Sequence, residues 1–289
     1  MIIILPEADG SNCGLGQIDL PLPMQDETLQ ILSKMTRYNE YSAQTVALNK
    51  FIYELKEAGL YEKVGMFMPF FMCGNISQLS YDAISDSVLT MENAGTYDAT
   101  TDTITIPSGI SNYSHRFLLP SGMNLLDNFV VFSQTKSTFE ETNTARDGYY
   151  HGPADTVVGS FRVSNGTVRT LGLVQLKVSG QSYSIYESGN TAIATTDANV
   201  GTCYVANLIS NPISSTKING YVDPNVSSID LSSYGEPTKY SLGRDAGKTY
   251  SIKSDFLLMG DNTTLTDSEQ LALFTSVRKL RQALDAAEI

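Results

Sequence analysis

Ser160-Phe161-Arg162-Val163-Ser164-Asn165-Gly166-Thr167-Val168-Arg169-Thr170 reads as two short β segments joined by Asn-Gly. That dipeptide tolerates the positive φ angles of a tight turn, so the stretch predicts an antiparallel hairpin. The same period continues outward. Val174, Leu176 and Val178 alternate with Gln175, Lys177 and Ser179, which predicts one buried face and one wet face. After Gly180-Gln181 the alternation resumes in Tyr183 and Ile185, and a second Asn-Gly, Asn219-Gly220, sits between Thr216-Lys217-Ile218 and Tyr221-Val222. From Val88 to Met259 the signals are almost all β, with turns about every 8 to 12 residues, the spacing of a sandwich or jelly roll.

Helical periods frame this region. Leu48, Ile52, Leu55 and Ala58 recur at steps of four, three and three, and Gly59 suits the left-handed position after a helix, so a helix is predicted over Ser42 to Gly59. The continuous apolar run Val64 to Phe71 then reads as a fully buried strand. Toward the end of the chain, Thr266-Asp267-Ser268-Glu269 is a capping box. Leu273, Val277, Leu280 and Leu284 form one stripe behind it, so the chain closes with a helix packed on the sandwich.

Residues 1–40 differ from the rest. Asp9-Gly10-Ser11-Asn12-Cys13-Gly14-Leu15-Gly16 and Pro21-Leu22-Pro23 are turn-rich and lack a core of their own. They read as an extended arm, with a short helix from Asp26 to Lys34 capped by Asp26 and carrying Leu29 and Leu32 on its apolar face. The apolar residues Ile2, Ile3, Ile4, Leu5, Leu15, Ile18 and Leu20 are costly to leave in water, so they are the candidate attachment residues. The alternative is a frayed terminus. The domain division expected is thus 1–40 as arm and 41–289 as β-sandwich with flanking helices.

Composition narrows the function. The 289 residues carry 19 Lys and Arg against 31 Asp and Glu, a formal charge of -12. Without a cationic surplus to displace counterions, a nucleic-acid partner is not expected. Ser and Thr number 58 and Tyr 16, which favours short strands and turns. The N-terminus lacks a basic region before its five-residue apolar run, so it does not read as a secretory signal. The longest later apolar run, Val64 to Gly74, is shorter than the roughly 18 to 20 residues a bilayer requires. Cys13, Cys73 and Cys203 are odd in number and widely spaced, which favours reduced thiols over a disulfide framework.

Most catalytic patterns fail on spacing. His115 and His151 have no partner at metal-ligand spacing. Gly243-Arg244-Asp245-Ala246-Gly247-Lys248-Thr249 is one residue short of a phosphate loop and runs into a strand pattern rather than a helix. The Glu-any-Asp-any-any-Glu pattern of β-sandwich glycosidases begins only at Glu7-Ala8-Asp9, where Asn12 stands in the last position. Glu140 and Glu141 are adjacent and would fall on opposite faces of a strand. Neither a Gly-any-Ser-any-Gly elbow nor an EF-hand loop occurs. No enzyme, cofactor or metal is therefore expected. Tyr149, Tyr150 and His151 remain as candidate glycan contacts, since an aromatic ring with a polar tip stacks on a sugar face. Ordinary strand packing is the competing reading.

The segment Leu48-Asn49-Lys50-Phe51-Ile52-Tyr53-Glu54-Leu55-Lys56-Glu57-Ala58-Gly59-Leu60-Tyr61-Glu62-Lys63, followed by the apolar run Met66 to Phe71, resembles a group of tailed-phage virion proteins. In that group such a segment precedes a concanavalin A-like, laminin-G-type sandwich. Ser241-Leu242-Gly243-Arg244 is similar to its penultimate strand, Ile218-Asn219-Gly220 to a strand-turn element, and Met259-Gly260 with Leu265 to Glu269 to its closing helix. The resemblance spans about residues 45 to 289. It implies a mainly β fold: a concanavalin A-like jelly roll on an N-terminal arm, displayed on a virion as a head fibre or similar appendage. The implied partners are capsid or tail proteins, a host-surface or mucosal glycan, and further copies of the chain. A tail fibre or receptor-binding protein, or a β-sandwich glycoside hydrolase, are the alternatives.

An extended arm has to satisfy its backbone groups, and exchange between copies does so with a symmetry common in fibres. The full-length chain is therefore predicted to be a homotrimer. Light scattering at micromolar concentration should report three times 31.5 kDa, and a monomer mass would refute it.

Overall fold

The computed structural model describes residues 22–92, 95–100, 103–106, 116–121, 123, 128–138, 148–154, 161–162, 168–169, 172–177, 181–187, 191–197, 203–207, 215–218, 221–222, 239–241, 250–261 and 265–287. Side chains are described for residues 22–91, 95–100, 118–121, 123, 255–260 and most of 265–287.

Helical segments lie at the two ends and strands between them, as the periods predict. Helix α1 is Asp26–Lys34, α2 is Ala43–Glu57 and α3 is Asp267–Ala287. The strands form two large antiparallel sheets. One runs in the order Tyr221–Val222, Ser215–Ile218, Cys203–Asn207, Asn128–Thr138, Tyr250–Asp261, Thr103–Ile106, Thr96–Asp98, with Val64–Met68 also paired to Tyr250–Asp261. The other runs Thr191–Asp197, Gln181–Glu187, Gly172–Lys177, Gly148–Ala154, Lys239–Ser241, Arg116–Leu118, Met91–Glu92. The chain is mainly β.

On either side of Asn219-Gly220 the strands pair antiparallel in the register of a two-residue connection, with Ile218 opposite Tyr221 and Lys217 opposite Val222. The segments on either side of Asn165-Gly166 also pair antiparallel, but Arg162 lies opposite Val168 and Phe161 opposite Arg169. A two-residue turn would align Ser164 with Thr167 and hence Arg162 with Arg169. The observed register is shifted by one residue, and an odd number of residues separates the paired positions. This hairpin stands as a ribbon of its own, outside both large sheets.

The described core lies where the two helical ends meet the first sheet. Helix α2 begins as expected: Ser42 is its cap, its Oγ accepting from Thr45 N, and Gly59 takes φ +64° past its end. Leu48, Phe51, Ile52 and Leu55 are buried. The following strand stops at Met68 rather than Phe71, because Pro69 has no N–H to continue a ladder; Phe70–Met72 turn into a buried 3-10 segment. Gly65 marks an irregularity in the pairing, between Val64 opposite Gly260 and Met66 opposite Met259. A Cβ there would come within 2.9 Å of Met123 Cε. Phe51, Phe67 and Phe256, from helix, strand and closing strand, have ring centroids 5.8, 6.4 and 6.5 Å apart, the spacing of favourable tilted and edge contacts.

Helix α1 has the predicted span, but its cap and buried face differ from expectation. The cap position is Gln25, which makes no side-chain cap bond. Asn49 of α2 serves instead: its Oδ1 accepts from Gln25 N at 2.7 Å and from Thr28 Oγ1 at 3.0 Å, while its Nδ2 donates to Pro23 O. Thr28 and Ile31 are therefore buried and Leu29 is exposed. Residues 26–35, assigned to the arm on sequence, belong to the core, because Ile31 and Met35 pack within it. Cys73 is a buried free thiol.

Helix α3 lies against α2 and the strand Cys203–Asn207. Leu273, Val277, Leu280 and Leu284 are each at most 2% exposed, so the predicted stripe is the packed face. Leu280→Ala is expected to cost about 2 to 5 kcal/mol, and Leu271→Ala, at a 64% exposed position, within about 0.5 kcal/mol. Denaturant midpoints for the two variants check this, and equal midpoints would refute the packing.

Candidate binding site

The strand Gly148–Ala154 holds the candidate glycan contacts, between Gly172–Lys177 on one side and Lys239–Ser241 on the other. Tyr149 lies opposite Gln175, Tyr150 opposite Val174 and His151 opposite Leu173. Successive strand residues belong to opposite faces, so Tyr149 and His151 share one face and Tyr150 occupies the other. The candidate attachment residues Ile2, Ile3, Ile4, Leu5, Leu15, Ile18 and Leu20 lie outside the described residues.

Sequence reasoning missed the charged groups inside the core. Asp82 is fully buried in the hairpin Tyr81–Asp82 with Ser87–Val88. Its Oδ1 accepts from Phe67 N at 2.9 Å and Ile84 N at 3.1 Å, and its Oδ2 from Ser85 Oγ at 2.6 Å. The carboxylate is thus saturated with donors and ties the hairpin to the strand Val64–Met68, a structural use of charge. Burial pushes the neighbouring Tyr81 hydroxyl up to about 12. Tyr97 Oη donates to Cys73 O at 3.0 Å, and burial pushes the Cys73 thiol up, with Arg37 opposing. That thiol is an unreactive core group.

Asp255 and Arg281 form an ion pair, Nη1 to Oδ2 at 3.1 Å, with side chains 1% and 4% exposed. Asp285, one turn further along α3, also pairs with Arg281. Among the described residues, Arg281 Nε and Nη1 lack a well-aligned acceptor, so charge rather than bidentate hydrogen bonding holds the contact. A buried pair of this kind adds little net stability, whereas removing one partner leaves the other charge uncompensated. The signal in the sequence was Asp255 standing directly before the apolar run Phe256-Leu257-Leu258-Met259.

The capping box forms as predicted and acquires a third member. Thr266 N donates to Glu269 Oε2 at 2.8 Å, Glu269 N donates to Thr266 Oγ1 at 3.3 Å, and Lys63 Nζ reaches Glu269 Oε1 at 2.8 Å. None of these clusters groups three metal-binding side chains, among the described residues, and no described helix is long and apolar enough to cross a membrane.

No protein-family model matches the chain, and no curated protein matches it. Similar solved structures include the metal-free carbohydrate recognition domain of Emp46p, at 11% identity and TM-score 0.36, over 60% of this chain and 87% of that one. Its potassium-bound form is similar at 10% identity and TM-score 0.31, over 56% and 90%. The binding domain of botulinum neurotoxin DC in complex with rat synaptotagmin II is similar at 8% identity and TM-score 0.44, over 75% of this chain and 52% of that one. The chain thus spans about half the length of the neurotoxin domain.

The Glu269 cluster generates a pH prediction. The Lys63 ammonium, with the two Thr266 donors, holds the Glu269 carboxyl down at about 2, below its ordinary 4.5. A depressed carboxylate contributes stability above its unfolded value and loses it as pH falls toward the folded one. NMR titration of the Glu269 side chain should give a midpoint near 2, and Lys63→Met should raise it. A midpoint near 4.5 in the unaltered chain would refute the contact.

Proposed function

We propose that this chain is a structural appendage of a tailed-phage virion, a head fibre or a comparable surface part. It attaches to capsid or tail proteins through its N-terminal segment and displays a concanavalin A-like, lectin-type β-sandwich that adheres weakly to glycans. It acts as a homotrimer without a cofactor and is not an enzyme. Several copies on one particle would raise avidity without new contacts.

One observation carries this reading. Two of the separated segments on which the resemblance to phage virion proteins rests, the entry segment Leu48 to Phe71 and the closing segment Met259 to Glu269, meet in one packed unit. Helix α2 lies against α3, Val64–Met68 pairs with the segment containing Met259-Gly260, and Lys63 bonds Glu269 across 206 residues of sequence. Agreement between local pattern and tertiary partnership is what a shared architecture requires. It supports treating those two segments as parts of one inherited design rather than as two chance likenesses.

The attachment is tested by truncation, with the cut placed by the core. Removing residues 1–21 should leave the melting temperature unchanged and abolish co-sedimentation with stripped particles. Removing residues 1–34 takes away the buried Thr28 and Ile31 and should lower the melting temperature as well. If the chain lacking residues 1–21 still co-sediments as the full chain does, the attachment reading fails.

A further inference from the structure

Three apolar side chains are exposed on the α1–α2 layer near the point where the described chain begins: Leu22, Leu29 and Val46, at 38, 46 and 55%. Asn49 connects them. Its Nδ2 donates to Pro23 O, next to Leu22, and its Oδ1 accepts from Gln25 N. Leu29 N in turn donates to Gln25 O at 3.1 Å, which places Leu29 one helical turn further on. Val46 lies one turn before Asn49 on α2. Single exposed apolar residues are ordinary on a protein surface, whereas three gathered about one buried amide form a patch. Leu29 belongs to it because the core takes Thr28 and Ile31 from α1 instead.

The chain that precedes Leu22 is the material available to cover this patch. It carries Leu15, Ile18 and Leu20, and in an extended segment Ile18 and Leu20 fall on one side. Residues 15–20 can reach about 20 Å at roughly 3.3 Å each, twice the ~10 Å diameter of a helix. The sequence Leu20-Pro21-Leu22-Pro23 bears on whose patch they cover. Each proline fixes its own φ and drives the residue before it to an extended conformation, which favours a stiff rod of about 12 Å at ~3.1 Å per residue. Asn49 holds one end of that rod at Pro23. Its other end is thereby directed away from the patch, and a tight return of Ile18 and Leu20 onto Leu29 of the same chain is disfavoured. The equivalent patch on another copy carries no such restriction.

We propose that the patch formed by Leu22, Leu29 and Val46 receives residues 15–20 of a neighbouring copy, with Ile18 and Leu20 covering Leu29 and Val46. The proposal rests on the homotrimer reading above and gives it a contact surface. Arm and patch are two different surfaces, so the contact runs head to tail, and three such contacts close a ring. Apolar side chains that would otherwise face water on both partners are buried together. The N-terminal segment is thereby divided. Residues 15–20 join the copies, and Ile2 to Leu5 remain for a capsid or tail protein.

The test reads mass by light scattering at micromolar concentration, with thermal melting of each variant to show that it is folded. The full-length chain should be trimeric, and removal of residues 1–14 should leave it so. Leu29→Asp with Val46→Asp, and separately Ile18→Asp with Leu20→Asp, should each lower the mass threefold. Leu271→Asp, at the exposed position on α3, should not. In a Cys13→Ser background, Leu20→Cys with Val46→Cys treated with oxidised glutathione should give a covalent trimer on a denaturing gel, and neither single substitution should do so. That cross-link decides the matter if an Asp variant fails to fold. A trimer that survives both Asp pairs, a disulfide confined to one chain, or dissociation on removing residues 1–14 overturns the exchange while leaving the trimer standing. A monomeric full-length chain overturns both.

Discussion

Residues 255–260 of the closing strand are buried without exception, and the rest of the described structure follows from what that requires. A strand enclosed on both faces has no water to satisfy its backbone, so its N–H and C=O groups need partners along both edges. Asn128–Thr138 supplies one edge over nearly the whole length. The other is shared, by Thr103–Ile106 at the beginning and Val64–Met68 at the end. This division explains why the segment after α2 is drawn across the whole chain to the final strand. It also explains why Asp255 must have a cation, since an unpaired carboxylate there would be far costlier than the pair with Arg281.

The helical layer answers the same constraint from above. Helices α2 and α3 lie together, with Lys279 reaching Glu54 at 3.1 Å and Gln44 donating to Ala287 O at 3.4 Å. Exposed pairs of this kind add little energy. The apolar stripe of α3 and the aromatic cluster of Phe51, Phe67 and Phe256 supply the cohesion, and the polar contacts fix the alignment of the two helices. Asn49 extends the layer to α1 by serving as its cap, which is how a nine-residue helix of mixed composition is retained.

Much of this architecture was legible in the sequence because it depends on local period. The stripe from Leu273 to Leu284, the span of α2 with its Ser42 cap and Gly59, and the Asn219-Gly220 hairpin are written in neighbouring residues. What escaped reading depends on distant ones. The cap of α1 comes from Asn49, a residue of another helix, so Asp26 was the nearest candidate and the wrong one. Asp82 and Arg281 look like surface charges until their partners are known. The triplet Tyr149-Tyr150-His151 was legible as aromatic and polar, but adjacency in sequence separates residues across a sheet rather than uniting them. The partners of Tyr150, namely Val174, Ser184 and Thr195, are set by a register that no local pattern states.

The pairing of Val64–Met68 with the closing strand has a consequence for synthesis. Met68 lies opposite Leu257, so the apolar segment from Val64 to Cys73 emerges from the ribosome about 190 residues before the strand that covers it. At roughly 5 to 20 residues per second, this interval is on the order of 10 to 40 s. Contacts of such long range are slow to form and leave apolar surface exposed meanwhile. Until that strand is made, the helices α1 and α2 are what the chain already offers to pack against Phe67, Phe70 and Phe71.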